Sequence, residues 1–387
     1  MSSWSWDPTR QKYYYIERTT GDYVYTDNER ISSQPNSTSR TSNASLGHSG
    51  GSTGSSGYST DLTSQSSIQQ QTSVPAGQEP SNVVDNIWDY YQDIGYLGAG
   101  GQATVREVQS IQDGRSYAMK IYTFRNQQKF QAKRPTVMGE INIMERLDAS
   151  SDIIRLVRWY EDPARFTYYI VMEKADLGTL WNVLERQFDS PETNIVTSGL
   201  VRDVFVRMSR GLADIHRIDT RHKDIKPSNI LVCSSDNAND SWVLKYADFG
   251  MAIDFSGSGN SLTTGAGFSG TWAYAAPECW SDRVLTGRTR KSDIWSLGCV
   301  FFEVLAGRST ALTGDKYWMN FTVYDIIRGY DNGRARSYYG FHQHVMEVLN
   351  TMVGNDNLWE LHVYVPIVRQ MLQLDPQYRP DASSILG

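Results

Sequence analysis

The order of its secondary-structure signals constrains this chain most. Short β-prone runs dominate up to Glu173, and from Thr179 onward the apolar periodicity is mainly helical. Ile94–Leu97, Ala103–Val108 and Ser116–Tyr122 read as three successive strands joined by glycine-rich turns. A helix is expected over Gln127–Leu147, where Val137, Ile141, Met144 and Leu147 recur at helical spacing, followed by strands at Ile153–Tyr160 and Tyr168–Glu173. Helical patterns then occupy Thr179–Gln187, Leu200–Ile218, Lys291–Ala306 and Leu361–Leu372. Strands first and helices later predict an α+β, bilobal fold: a small sheet-rich lobe with one main helix over about residues 88–173, then a larger helical lobe over about 176–387.

This domain, residues 86–387, follows two segments of different composition. Residues 1–31 are aromatic: Trp4 and Trp6, then Tyr13-Tyr14-Tyr15-Ile16, a Gly21-Asp22 turn and Tyr23-Val24-Tyr25 suggest a small hairpin. The spacing loosely resembles small aromatic modules that bind proline-rich peptides, without their later Trp and Pro. A peptide-binding arm and a structural or disordered arm are both compatible with it. Residues 32–85 are mostly Ser, Thr, Gly and Gln, too poor in apolar surface to offset backbone entropy, so a flexible linker is expected.

A net charge of −6 provides no basic field to draw nucleic acid or an anionic membrane. No apolar stretch reaches the about 20 residues that span a bilayer. Three scattered cysteines, Cys233, Cys279 and Cys299, form neither a disulfide framework nor a zinc cluster. These features point to a reduced compartment, the cytoplasm, the nucleus being compatible.

Several short motifs carry chemistry. Leu97-Gly98-Ala99-Gly100-Gly101 lies between two strands, where glycines let backbone N–H groups approach phosphate oxygens. Such turns are common, but Lys120 follows on the next strand but one and Glu140 twenty residues later on the predicted helix. A lysine that grips phosphates needs a counter-charge, and a helix glutamate supplies it. Further on come His222-Lys223-Asp224-Ile225-Lys226-Pro227-Ser228-Asn229, Asp248-Phe249-Gly250, the run Gly270–Glu278, Ser292–Gly298 and Arg379-Pro380.

In this order the motifs resemble the eukaryotic-type serine/threonine protein kinases, and most closely those of filamentous fungi. The resemblance covers about residues 88–387 and implies phosphoryl transfer from ATP to serine or threonine hydroxyls of protein substrates. It assigns Asp224 as the base, Lys226 and Thr271 as its companions, and Asn229 and Asp248 as ligands of Mg2+. It places the adenine between Leu97, Val105 and Ala118 above and Leu231 below, with backbone bonds to Glu173 and Ala175, and Met172 behind. It also pairs Arg379 with Glu278.

The chain departs from the family pattern in four places. Ala103 stands where the third glycine would be, and Asp224 and Asp248 lie about six residues further apart than usual, the excess falling in Ser234–Asp240. The chain stops at Gly387, inside what would be the last helix. Lys223 replaces the usual arginine; its point charge holds a phosphate less rigidly than a planar fork. Control through a phosphorylated segment containing Ser261, Thr263, Thr264 and Ser269 is therefore expected to be only partial. Two rival functions are a binding scaffold of the same fold and a small-molecule phosphotransferase. The first would be favoured by loss of Lys120, Asp224, Asn229 or Asp248, all present; the second lacks the Gly-Thr to Ala-Pro-Glu platform.

Overall fold

In the computed structural model the described residues are 82–100, 103–190, 192–235, 242–255, 271–279, 289–313 and 338–386, with four short strands nearer the start of the chain. The linker expectation at 32–81, Gly101, positions 236–240, the hydroxyls Ser261, Thr263, Thr264 and Ser269, and Gly270 lie outside them. Residues 1–75 and 76–387 form two units.

The first unit holds a four-stranded antiparallel meander, β1 (Ser5–Asp7), β2 (Lys12–Ile16), β3 (Tyr23–Tyr25) and β4 (Arg30–Ile31). Tyr15 of β2 pairs with Val24 of β3, as the expected hairpin requires, and one further strand adds on each side.

The second unit opens with β5 (Tyr91–Ala99), β6 (Thr104–Ser110) and β7 (Ser116–Thr123), followed by α1 (Gln127–Arg146), β8 (Leu156–Asp162) and β9 (Thr167–Glu173). The five strands form an antiparallel sheet in the order β5-β6-β7-β9-β8. Because side chains alternate along a strand, β7 feeds two cores. Met119 joins Val84, Ile87, Tyr91 and Val171 on one face, whereas Ala118 and Tyr122 join the main core with α1 on the other. Asn126 caps α1 by accepting the Lys129 amide at 2.9 Å, satisfying one of the orphan donors of a helix start. Val137, Ile141 and Met144 bury the helix face that the periodicity predicted.

The larger lobe contains α2 (Leu180–Asp189), α3 (Ser198–Arg217), β10 (Thr220–Arg221), β11 (Ile230–Cys233), β12 (Val243–Tyr246), β13 (Ile253–Asp254), α4 (Arg290–Thr313), α5 (Tyr338–Val353) and α6 (Val365–Met371). Phe205 of α3 stacks on Phe301 of α4 with centroids 3.8 Å apart. Gly298 lets α4 meet α6, since a Cβ there would come within 3.0 Å of Leu372 and Met371. The two-lobed α+β architecture expected from the sequence is the one observed.

Two expectations need correction, and one helix was missed. The strand expected from Ile153 begins at Leu156, because Ile154 donates its amide to Tyr246 O at 2.9 Å instead of joining the five-stranded sheet. The helix expected from Leu361 begins at Val365, with a 3-10 turn at Asp356–Leu361 before it; Pro366 fits only a first turn, where its missing N–H leaves nothing unpaired. Helix α5 was not anticipated, although its buried Val345, Val348, Leu349 and Met352 keep helical spacing.

Candidate active site

One cavity of about 680 Å³ lies between the sheet and the larger lobe. Leu97, Gly98, Ala99, Gly100, Val105 and Ala118 line it from the sheet, with Lys120 and Glu140 deeper. Met172, Glu173, Ala175 and Leu231 close the inner side, and Asp224, Lys226, Asn229, Asp248 and Thr271 lie across from them. Every site residue read from the sequence therefore lines this cavity, apart from Gly101, which is outside the described residues.

Strand pairing explains the upper half. Val105 faces Lys120 across β6 and β7, and Ala118 faces Met172 across β7 and β9. Lys120 Nζ donates to Glu140 Oε1 at 2.6 Å and to Asp248 Oδ1 at 2.7 Å. Burial of the Lys120 ammonium works against its charge, but Glu140 and then Asp248 more than offset it and raise its pKa. Burial likewise acts against the Asp248 carboxylate, and the Lys120 charge beside it still holds its pKa below the ordinary carboxylate range.

The lower half is built around Asp224. Its Oδ1 accepts from Thr271 N at 3.0 Å and Thr271 Oγ1 at 2.9 Å. Its Oδ2 accepts from Lys226 Nζ at 2.8 Å and Asn229 Nδ2 at 3.0 Å. Lys226 Nζ also donates to Thr271 Oγ1 at 2.7 Å, so Asp224, Lys226 and Thr271 form a closed triangle.

Asp293, on the first turn of α4, holds the backbone of this loop. Its carboxylate accepts the amides of His222 at 2.9 Å and Lys223 at 3.0 Å, and His216 Nε2 lies 3.1 Å away. Lys223 adopts φ 71° and Asp248 φ 65°, left-handed conformations that cost a side-chain-bearing residue roughly 1–2 kcal/mol. The Asp293 contacts at the 222 and 223 amides oppose relaxation of the first of them.

Asp293 is 1% exposed; burial alone would raise its pKa, but the His216 contact and nearby cations leave it lowered. A carboxylate with a depressed folded pKa contributes stability above its unfolded value near pH 4 and loses it as pH falls through the folded pKa. Asp293→Asn is expected to destabilise the domain by at least about 2 kcal/mol at pH 7, with the deficit shrinking below about pH 4. Urea midpoints across pH check this; a deficit independent of pH would remove the charge from the explanation.

The segment that joins the lobes is tied on both sides. Glu173 Oε1 accepts from Arg155 N at 2.7 Å and Lys245 Nζ at 2.6 Å, while Lys174 Nζ pairs with Glu107 Oε1 at 2.9 Å. Behind the platform, Arg379 donates to Glu278 Oε1 at 2.7 Å and Oε2 at 2.8 Å.

Tyr122, Lys133 and Asn182 also line the cavity without having been singled out from the sequence. For Tyr122 a signal was present, since it lies two residues beyond Lys120 and strand parity places both on one face.

Comparison with known proteins gives a concordant result. The family model described as protein kinase domain matches residues 91–387. Serine/threonine-protein kinase 16 of Homo sapiens is 31% identical over 234 residues, covering 58% of this chain and 72% of that protein. Serine/threonine-protein kinases PknA of Corynebacterium glutamicum is 33% identical over 224 residues, 57% of this chain and 43% of its own length. For serine/threonine-protein kinase cds1 of Schizosaccharomyces pombe the figures are 31% over 233 residues, 58% and 46%. The chain thus spans less than half the length of two of these relatives, and matches spread over bacterial, mammalian and yeast proteins do not single out filamentous fungi. No helix among the described residues is long and apolar enough to cross a membrane.

Proposed function

This chain belongs to the protein kinase domain family, and from that premise we propose that it transfers the γ-phosphoryl group of ATP to serine or threonine hydroxyls of protein substrates. The observation that carries the proposal is the closed triangle of Asp224, Lys226 and Thr271 at the cavity that also holds Lys120 and Asp248.

The residues fit the nucleotide and its metal. Val105, Ala118, Met172 and Leu231 offer an apolar slot for a flat base, Gly98 and Gly100 bring backbone close to phosphates, and Lys120 supplies a fixed positive charge. Among the described residues no cluster of three His, Cys, Asp or Glu side chains forms a self-sufficient metal site. Magnesium suits such a place, because it is commonly held by one or two carboxylates together with substrate phosphates. Asp248 and Asn229 would hold it.

Bound magnesium ATP supplies the transferable phosphoryl group and neutralises charge on its oxygens. Asp224 orients the acceptor hydroxyl and takes its proton as the new oxygen–phosphorus bond forms and the bond to ADP breaks. Lys226, beside Asp224, balances negative charge on the transferring group. Thr271 fixes Asp224 from the platform side, through both its amide and its hydroxyl. The cytoplasm and a peptide partner for the aromatic first unit belong to the same proposal.

Purified protein with radiolabelled magnesium ATP and a library of peptides tests this reading. Label is expected on serine and threonine, and EDTA is expected to remove at least about 99% of the rate, since the metal neutralises the charge that the transfer develops. Label confined to tyrosine, or a rate indifferent to EDTA, would sink the proposal.

A further inference from the structure

Glu140 has two carboxylate oxygens, and Lys120 uses only one of them. Oε1 accepts from Lys120 Nζ, and Oε2 accepts from the Tyr122 hydroxyl at 2.6 Å. Glu140 is 2% exposed and Tyr122 6%, so water does not compete for this bond. The Tyr122 ring also lies beneath the Lys120 ammonium, 5.1 Å from its centroid. On the other side, a Cβ built on Gly250 would meet Tyr122 Oη at 3.2 Å, Asp248 Oδ1 at 3.3 Å and Glu140 Oε2 at 3.5 Å. The hydroxyl thus sits where β7, α1 and the Asp248–Gly250 turn converge.

We propose that Tyr122 is a positioning residue: its hydroxyl latches the second oxygen of Glu140, holding α1 and thereby Lys120 in the geometry that grips nucleotide phosphates. The proposal deepens the kinase reading and rests on it for the role of Lys120.

The physical case concerns competition. Lys120 shares its ammonium between Glu140 and Asp248. In the nucleotide-free protein its hold on Glu140 Oε1 is therefore divided, and if that were the only bond, α1 could swing away. The Tyr122 bond is not divided in this way, because a hydroxyl has one hydrogen and Glu140 takes it. Burial and the nearby carboxylate raise the phenol pKa, so the group remains a donor at any working pH. Donor and acceptor of the latch both belong to the smaller lobe, Tyr122 on β7 and Glu140 on α1.

The test is Tyr122→Phe, which keeps the ring and its packing and removes only the donor. Amide hydrogen exchange of the nucleotide-free protein reads the latch directly, and exchange across residues 137–144 is expected to quicken about tenfold in the variant. Affinity for magnesium ATP is expected to fall about tenfold, as when the competent population drops to about one tenth. At saturating ATP, kcat should stay within about threefold, since bound phosphate restores the competent state. In a Glu140→Ala background the same change should alter ATP affinity less than twofold, because the latch is already gone.

Unchanged exchange in 137–144, or equal effects of Tyr122→Phe in both backgrounds, would overturn the latch. A parallel loss in kcat and kcat/KM would overturn it too, by pointing to general disruption. Should the wild type fail to transfer phosphoryl groups, the kinase reading falls while the exchange experiment still decides the latch.

Discussion

Asp224→Asn is expected to lower kcat by about a thousandfold, about 4 kcal/mol in activation free energy, while ATP affinity stays within about threefold. Both oxygens of Asp224 are committed, with Thr271 on one and Lys226 and Asn229 on the other. Asparagine keeps the size but replaces one acceptor with an N–H2 that cannot accept a proton and faces donors already in place. Whichever way the amide turns, either Thr271 or the Lys226–Asn229 pair meets a donor instead of an acceptor. The substitution therefore removes the proposed base and also loosens its triangle with Lys226 and Thr271. On the proposed reading nucleotide affinity rests mainly on Lys120, Gly98–Gly100 and the apolar slot, none of which Asp224 touches through a hydrogen bond, and the Asn229 contact to its backbone oxygen survives the substitution. Single-turnover rates together with equilibrium ATP binding check the expectation. A variant that retains more than a tenth of wild-type kcat would remove Asp224 from the role of base.

The largest stability effect is expected at Arg379. All five of its N–H donors are used: Nε on Gln373 O, the Nη1 pair on Glu278 Oε1 and Lys291 O, and the Nη2 pair on Glu278 Oε2 and Leu374 O. Its guanidinium also lies 5.0 Å from the Trp295 ring centroid, and the residue is 2% exposed. Arg379→Ala would leave the Glu278 carboxylate buried without its cation, along with three carbonyls deprived of donors. Breaking a buried pair from one side typically costs about 3–5 kcal/mol, a large part of the total stability of about 5–15 kcal/mol. Arg379→Lys should recover only a minor share, because a point charge cannot serve acceptors arranged around a planar fork. Urea unfolding with an unchanged slope is the measurement, and a midpoint shift worth less than about 1 kcal/mol would refute the account.

Much of this was legible in the sequence, for reasons that differ by residue. Strand parity and helical spacing are local, so β7, α1 and α3 could be read from single windows. Lys120, Asp224, Asn229 and Asp248 came from motif order, and the Arg379–Glu278 pair only through family resemblance, since no local rule links residues 101 positions apart. The start of β8 was misplaced because Ile153 and Ile154 look β-prone but are drawn to Tyr246 by tertiary contact. Helix α5 had the apolar spacing and was missed. Tyr122 was unmarked because a tyrosine on a buried strand reads as core until the second oxygen of Glu140 is seen to need a donor.

The ties on the segment joining the lobes bear on the timing of turnover. Lys174–Glu107 anchors it to the sheet and Lys245–Glu173 to β12, and all four side chains are between 15% and 28% exposed. Pairs this close to water are screened over about 8 Å at physiological salt and weaken as salt is added. They act in series on one short stretch of chain, as two ionic springs on a single joint. Opening of the cleft, the step that frees spent nucleotide in many enzymes that close around their substrates, is thereby expected to quicken as ionic strength rises, through side-chain pairs set apart from the Asp224 triangle.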